Sequence, residues 1–332
     1  MPKHMVPLNL SSISCMNKIL CIGEALIDMI CTDTGSSLAD GQHFLKKPGG
    51  APTNVAAAIA ALGGQVEMSA KVGNDPFGKH LIEVMKEFGI GTNHVIIDEN
   101  NFTTLAFVSL MENGERDFYF NRGADGMLDE ADTNNIDIPS FAIAHFGSAT
   151  GFLPGPLQST YKKIAQKARD NNLFISFDPN YRHLLFGEKQ QSFIEKSWEF
   201  IGLCDFFKVS DEEAFLLTGT DNIDLAAAAF FDKSTAIFAI TLGKEGTLLG
   251  INKQTFLIPS ISVNPIDTTG AGDAFVGALL YQISLLQKEE IASLKKDDWS
   301  KLFVNANKAG ARTCEYMGAM EAFKHLSAEI FN

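Results

Sequence analysis

Short apolar runs rich in β-branched and aromatic residues recur at positions 18–23, 66–72, 143–147, 173–178, 206–209 and 236–242. Between them lie stretches with the helical spacing of apolar positions, clearest at 76–88, 157–171 and 190–201. Strands covered on both faces read as continuous apolar runs, so this order predicts a mainly parallel sheet with helices on both sides. Ligands of such sheets sit beyond the carboxyl ends of the strands.

One region breaks the alternation. Residues 102–108 and 116–120 are β-rich and flank Glu112-Asn113-Gly114-Glu115. An Asn-Gly pair between two such runs is a hairpin signal. Together with 29–32 and 42–45, this hairpin is expected to build a small second sheet.

Composition narrows the picture. A chain of 332 residues with 45% hydrophobic content can bury one large α/β core. The formal net charge is −13, and basic residues never run beyond pairs, which argues against nucleic acid or an anionic membrane as partner. Cys15, Cys21, Cys31, Cys204 and Cys314 are odd in number and lack any Cys-x-x-Cys spacing. They read as reduced thiols of a cytoplasmic protein, and neither a disulfide framework nor a zinc site is expected. No apolar run is long enough to span a bilayer. Residues 1–15 have a weak apolar centre and no cleavage site, so they are expected to be a disordered extension or the product of an upstream start codon, not a signal peptide. A single domain is expected over 16–332.

Candidate chemistry is concentrated at 267–279, DTTGAGDAFVGAL. Gly270 and Gly272 lack a Cβ, so backbone amides can come close to a bound anion. They precede an apolar, small-residue helix, and a helix N-terminus favours negative charge. A carboxylate at Asp273 would repel a resting phosphate, but it suits a base that takes a proton from a hydroxyl attacking that phosphate. The amides of Gly270, Ala271 and Gly272 would then form an anion hole for the transferring group. A second reading of the same turn makes Asp273 an N-cap and the glycines merely the bend.

Near the other end of the chain, Gly49-Gly50-Ala51-Pro52-Thr53-Asn54 leads into an Ala-rich helix closed by Gly63 and Gly64. The two motifs together resemble the signatures of the ribokinase-like (PfkB) family of sugar and nucleoside kinases. CIGEALIDMI at 21–30, GNDPFG at 73–78, FDPNYR at 177–182, KVSDEEAFLLTG at 208–219 and TLGKEG at 241–246 extend the likeness over the chain from residue 16. The resemblance implies a three-layer α/β/α fold with a small β-sheet lid, formed by about 29–48 and 96–122. In many relatives that lid also packs against a second subunit, so a homodimer through it is implied. A lid has a physical use, because closing the site on the acceptor keeps water from the phosphate.

The resemblance also distributes roles. Asp28, Gly49, Gly50 and Asn54 should line the acceptor pocket, and Arg122 in the NRGAD segment should reach the sugar from the lid. Lys208, Thr241, Gly243, Gly246 and Asn307 match nucleotide-side positions. Glu213 matches an acidic position linked to Mg2+ and phosphate through water, although Ser210 stands where many relatives have Asn; a solvated helix-start carboxylate is the alternative. Asp267 lies where K+ activation would be expected. Carboxylate and amide groups accept and donate several hydroxyl hydrogen bonds, which suits a neutral polyol. Relatives handling phosphorylated sugars tend to carry Lys after the paired glycines, where this chain has Ala51 and Pro52.

GEALIDMI, GGAPTNVA, NRGAD and GAMEAF are most like fructokinases. An ATP-dependent kinase acting on fructose is therefore expected. Two alternatives stand beside it: a related kinase for ribose, a nucleoside or 2-keto-3-deoxygluconate, and a noncatalytic sugar-binding regulator. Other motifs carry less. Residues 73–79 fit GxxxxGK, but His80 replaces the hydroxyl a P-loop offers to magnesium, so a strand-to-helix turn is expected there. The glycines at 270 and 272 lack the third glycine of a dinucleotide fingerprint. The histidines have no paired ligand spacing, and the alanines at 56–58, 60 and 61 read as helix packing.

Overall fold

The computed structural model describes residues 16–111 and 116–331. The extension at 1–15 and the Asn-Gly turn at 112–115 lie outside the described residues. In chain order the strands are β1 (Ile19–Ile22), β2 (Leu26–Cys31), β3 (Phe44–Gly49), β4 (Val66–Gly73), β5 (Gly91–Asp98), β6 (Leu105–Leu110), β7 (Arg116–Asn121), β8 (Ile143–Gly147), β9 (Phe174–Asp178), β10 (Phe206–Ser210), β11 (Ile237–Thr241), β12 (Gly246–Ile251) and β13 (Gln254–Pro259). Nine of these form one sheet in the order β13-β12-β11-β10-β9-β8-β1-β4-β5. Pairing is parallel from β5 through β11 and antiparallel at β11/β12 and β12/β13.

Alternate residues of each strand feed two cores. Ile19, Cys21, Met68 and Phe206 face one side, where the Ala51–Ala61, Ala271–Ser284 and Lys296–Thr313 helices pack. Leu20, Ile22, Phe146, Phe177 and Phe207 face the other, against the Pro156–Asp170 and Gln190–Ile201 helices. Both faces are thus dry, as the continuous apolar runs require. Because β1 lies between β4 and β8, the chain leaves the middle of the sheet in one direction and returns to build the other half. That reversal opens a crevice at the carboxyl ends of the strands.

The four remaining strands form a separate sheet, β3-β2-β6-β7. Asp28 of β2 stands in register with Lys47 of β3 and Ala106 of β6. The expected second sheet is therefore present, and it carries Asp28 out from the carboxyl end of β1.

Where the Ala51–Ala61 and Ala271–Ser284 helices cross, small residues let them approach closely. A Cβ added to Gly277 would lie 2.6 Å from the Cβ of Ala58 and 3.1 Å from the Val55 carbonyl oxygen, and Ala56, Ala57 and Ala58 are fully buried. Gly277→Val should push the helices apart and cost about 1–3 kcal/mol, the range for overpacking a tight core. Urea denaturation of the variant beside wild type would measure this.

Candidate active site

The crossing brings the beginnings of the two helices together. The 271–284 helix starts after Gly270, whose φ of 83° needs a residue without a Cβ, so Gly270 rather than Asp273 occupies the N-cap position. Asp273 lies in the first turn, is buried, and does not cap its own helix. Its Oδ2 instead accepts a hydrogen bond of 2.8 Å from Asn54 Nδ2, on the first turn of the other helix. The base candidate and the acceptor-pocket amide are thus adjacent. Asn54 Oδ1 is buried and has no hydrogen-bond partner among the described residues, which leaves an acceptor open to a ligand hydroxyl.

The anion hole differs from the expectation at one residue. The Ala271 amide donates to the Thr268 carbonyl at 3.2 Å, closing the turn. Among the described residues, the amides of Gly270, Gly272 and Asp273 donate to no protein group. Three donors remain, with Asp273 N–H in place of Ala271.

Lys208 closes the far side. A Cβ on Gly272 would lie 3.0 Å from its Nζ, and the same ammonium pairs with Asp178 Oδ2 at 3.1 Å. Burial pushes the Lys208 ammonium towards neutrality, but the Asp178, Glu213 and Asp273 carboxylates overcome that push and raise it. Asp273 is pushed up to about 6. Burial is the main cause and Asp178 adds to it, while the Asn54 hydrogen bond, Lys208 and Arg182 act the other way. Since the base must be ionised, kcat/KM should be level above about pH 6 and fall roughly tenfold per pH unit below it. A pH–rate profile measured at constant ionic strength checks this.

Asp28 lies against Gly49, where any Cβ would meet its carboxylate. The residue as a whole is half-buried. Its carboxyl is nevertheless pushed up to about 6 by burial, against the pull of Arg182. Gly50, with φ of 107°, lets the chain turn over the Glu24 carbonyl. Glu24 is fully buried and accepts from the Ala51 amide at 3.0 Å and from Thr150 Oγ1 at 3.3 Å. It thereby fixes the start of the helix that carries Asn54, with its carboxyl pushed up to about 8, chiefly by burial.

Several expected residues have other work. The Arg122 guanidinium donates to the carbonyls of Pro154 (2.7 Å) and Thr150 (3.0 Å) and to Asp125 Oδ2 (3.4 Å), tying the end of β7 to the 150–154 loop. Asn307 accepts from Thr247 Oγ1 at 2.6 Å and donates to the Ile258 and Pro259 carbonyls, so its amide welds the β12–β13 hairpin to the Lys296–Thr313 helix. That buried amide is already engaged by protein groups at both ends. Glu213 is neither solvated nor free. It forms a capping box with Ser210, its Oε2 accepting from the Ser210 amide at 2.8 Å, and its Oε1 accepts from the Tyr181 amide at 2.7 Å. Asp267 accepts from Thr269 N and Oγ1 and from the Gly318 amide, joining the anion-hole loop to the C-terminal segment. Thr241 ends β11, and Gly243 and Gly246 adopt positive φ in the turn into β12. Gly246 also packs directly on the backbone of β13. At 73–78 the Asp75 side chain caps the Pro76–Phe88 helix, as expected of a strand-to-helix turn.

The residues that sequence reasoning passed over are Asp178, Arg182 and Glu24. FDPNYR was part of the resemblance, and Asp178 sits at the carboxyl end of an apolar strand. That position alone could have marked it.

The chain is similar to known proteins along most of its length. The profile described as pfkB family carbohydrate kinase matches residues 16–325. Fructokinase-1 of Oryza sativa subsp. japonica is 36% identical over 307 residues, 91% of this chain and 93% of that one. Probable fructokinase-4 of Arabidopsis thaliana is 37% identical over 313 residues, 92% and 93% of the two chains. Among solved structures, the fructokinase of Vibrio cholerae O395 with fructose, ADP and calcium bound has a TM-score of 0.80 at 34% identity, covering 95% of this chain and 98% of that one. A double mutant of that enzyme is known with fructose, ADP and a potassium ion, at a TM-score of 0.80, 31% identity, and coverage of 95% and 97%.

Proposed function

The chain belongs to the pfkB family of carbohydrate kinases, and we propose that it transfers the γ-phosphoryl group of ATP to a hydroxyl of fructose. The hydrogen bond between Asn54 and Asp273 carries this reading, since it sets the acceptor pocket against a buried carboxylate at the mouth of an anion hole. Similarity to fructokinases along nine-tenths of the chain supports the choice of sugar.

In the reaction, Asp28 and the open Asn54 Oδ1 accept hydrogen bonds from sugar hydroxyls and orient the acceptor. Asp273 takes the proton of the attacking hydroxyl as its oxygen bonds to phosphorus, and the bond from phosphorus to the ADP oxygen breaks. The amides of Gly270, Gly272 and Asp273 hold the charge of the transferring group, with the Lys208 ammonium beside them. The four-stranded sheet acts as the lid over Asp28.

Among the described residues no cluster of His, Cys, Asp or Glu could hold a metal by itself. A divalent ion, Mg2+ in this proposal, would therefore be bound largely by the nucleotide phosphates, with Glu213 reached through water by the lone pairs its two amide bonds leave unused. Such an ion neutralises phosphate charge. A K+ ion would sit by Asp267, held ionised below the usual carboxylate range against the push of burial by the Thr269 and Gly318 hydrogen bonds.

The proposed homodimer uses the lid. Ile30 and Leu45 are opposite each other in the β2/β3 ladder, and both are well exposed, as is Leu110 of β6. No helix among the described residues is long and apolar enough to cross a membrane. We assign the enzyme to the cytoplasm, which suits the buried, unpaired thiols of Cys21 and Cys204.

The deciding experiment is a coupled ADP-release assay with Mg-ATP against fructose, ribose, glucose, adenosine and 2-keto-3-deoxygluconate. Turnover should be strongest with fructose. Preference for another acceptor would keep the mechanism and replace the substrate, whereas no turnover with any of them would favour a sugar-binding protein.

A further inference from the structure

The four-stranded lid sheet is joined to the core by four crossings of the chain: 23–25 between β1 and β2, Gly50 between β3 and the Ala51–Ala61 helix, 99–104 between β5 and β6, and 122–123 after β7. Side-chain hydrogen bonds tie all four together. At the third crossing Thr104 Oγ1 donates to Asp125 Oδ1, and it accepts from the Gly123 amide of the fourth at 2.8 Å. Arg122, also of the fourth, donates to Asp125 Oδ2 at 3.4 Å and to the Thr150 carbonyl at 3.0 Å. Thr150 Oγ1 then donates to Glu24 Oε2 of the first crossing at 3.3 Å. Glu24 Oε1 accepts from the Ala51 amide, just past the second crossing, at 3.0 Å, and the Glu24 carbonyl accepts from Thr53 Oγ1 at 2.9 Å. Glu24, Thr53, Thr104, Asp125 and Thr150 are all buried.

Well-packed apolar side chains would hold such crossings together at least as firmly as buried carboxylates do. What a hydrogen bond adds is direction, since it fixes the distance and angle between its partners. Glu24 stands four residues before Asp28, and Ala51 three before Asn54. Regular strand and the first helical turn fill most of those two intervals, which leaves little slack. The Glu24–Ala51 bond therefore sets the spacing between Asp28 on the lid and Asn54 on the core helix, the two groups proposed to hold the acceptor. Through Thr150 and Arg122 the β6–β7 half of the lid is referred to the same point. Removing the Glu24 side chain cuts the helix start away from all of it.

We infer that Glu24 is a positioning residue of the acceptor site, holding lid and helix at the spacing that lets Asp28 and Asn54 grip one sugar, an inference that rests on the sugar kinase reading. Fully buried, Glu24 does not meet the sugar itself. The role asks for hydrogen bonds to Ala51 and Thr150, not for a charge. A glutamine meets that demand, because its carbonyl oxygen accepts from the Ala51 amide while its NH2 donates to the Thr150 hydroxyl oxygen. An alanine meets none of it.

The test compares wild type, Glu24→Ala, Glu24→Gln and Thr150→Val in steady-state kinetics with Mg-ATP and fructose. Glu24→Ala should raise the KM for fructose about tenfold or more, a mild case of what a misplaced binding group costs, while the KM for Mg-ATP stays within about threefold. Thr150→Val should act in the same direction more weakly. Glu24→Gln should stay within about threefold of wild type for both substrates. In an Asp28→Asn background Glu24→Ala should raise the fructose KM much less, because one of the two groups whose spacing it sets is already weakened. Equal rises in the two KM values, or a loss of stability with both KM values unchanged, would mark a merely structural role and overturn the inference. So would a Glu24→Gln variant as impaired as Glu24→Ala. Should Glu24→Ala fail to fold, Thr150→Val decides with and without Asp28→Asn, and additive effects on the fructose KM overturn the inference. A wild type that phosphorylates no acceptor removes the kinase reading and the inference with it, whereas an active wild type whose fructose KM is indifferent to Glu24→Ala removes the inference alone.

Discussion

Asp273→Asn should lower kcat by about 10³-fold while sugar affinity changes little, the scale at which a positioned general base contributes. The side chain keeps its size and can still hydrogen-bond Asn54 after its amide turns, so the helix crossing need not repack. What it loses is the capacity to accept the hydroxyl proton as the new bond to phosphorus forms. Steady-state kinetics with fructose, beside calorimetric binding of fructose to the variant, separates the two effects. A variant that binds sugar and retains a tenth or more of its turnover, far above a base's expected residue, would show that the proton leaves by another route.

The second large effect is on stability. Lys208→Met should destabilise the fold by about 3–5 kcal/mol, the cost of leaving one member of a buried pair without its partner. Asp178 is buried among the carboxylates of Asp273 and Glu213, and the ammonium holds all three there. The double variant Lys208→Met, Asp178→Asn should recover part of the loss, because the carboxylate paired directly with the ammonium is then a neutral amide, while those of Asp273 and Glu213 remain. Denaturant midpoints of wild type, Lys208→Met, Asp178→Asn and the double variant form the cycle. A double variant no more stable than Lys208→Met would mean that packing of the Lys208 stem, not its charge, carries the effect.

Much of this architecture was legible in residue order, and the reasons are local. The Pro76–Phe88 helix is bounded as expected because Asp75 caps it, Pro76 opens it and Gly89 closes it in the left-handed region. β8 is a short, fully buried run, apolar but for His145, and its bounds match the run read from the sequence. The β12–β13 hairpin was less visible. Its turn residues Asn252 and Lys253 both have positive φ, a conformation usually announced by glycine. The Ala51–Ala61 helix, like the Pro76–Phe88 one, is marked at both ends, with Pro52 in its first turn and Gly63 just past its end, as the sequence suggests.

Site residues divide along a similar line. Asp273, Gly270, Gly272 and Asn54 are adjacent to marked turns, and the fold joins them. Asn307 and Arg122 match motif positions by residue type, but hydrogen bonding is a property of the packed neighbourhood, and much of theirs goes to protein groups far along the chain. Glu24 was invisible as a structural carboxylate for the converse reason. Nothing in GEALIDMI shows that its partners would be Ala51 and Thr150.

The bond between Asn54 and Asp273 joins residues 219 positions apart. At translation rates of roughly 5–20 residues per second, Asn54 is made some ten to forty seconds before Asp273. With the proposed roles, a nascent chain carries its acceptor anchor long before its base, and it should stay catalytically silent until the 271–284 helix docks. Gly270 in turn packs on Ala319 and Phe323. The ribosome must consequently release almost the whole polypeptide before the first turnover, and a premature stop that removes only the last segment would strip the anion hole of its support.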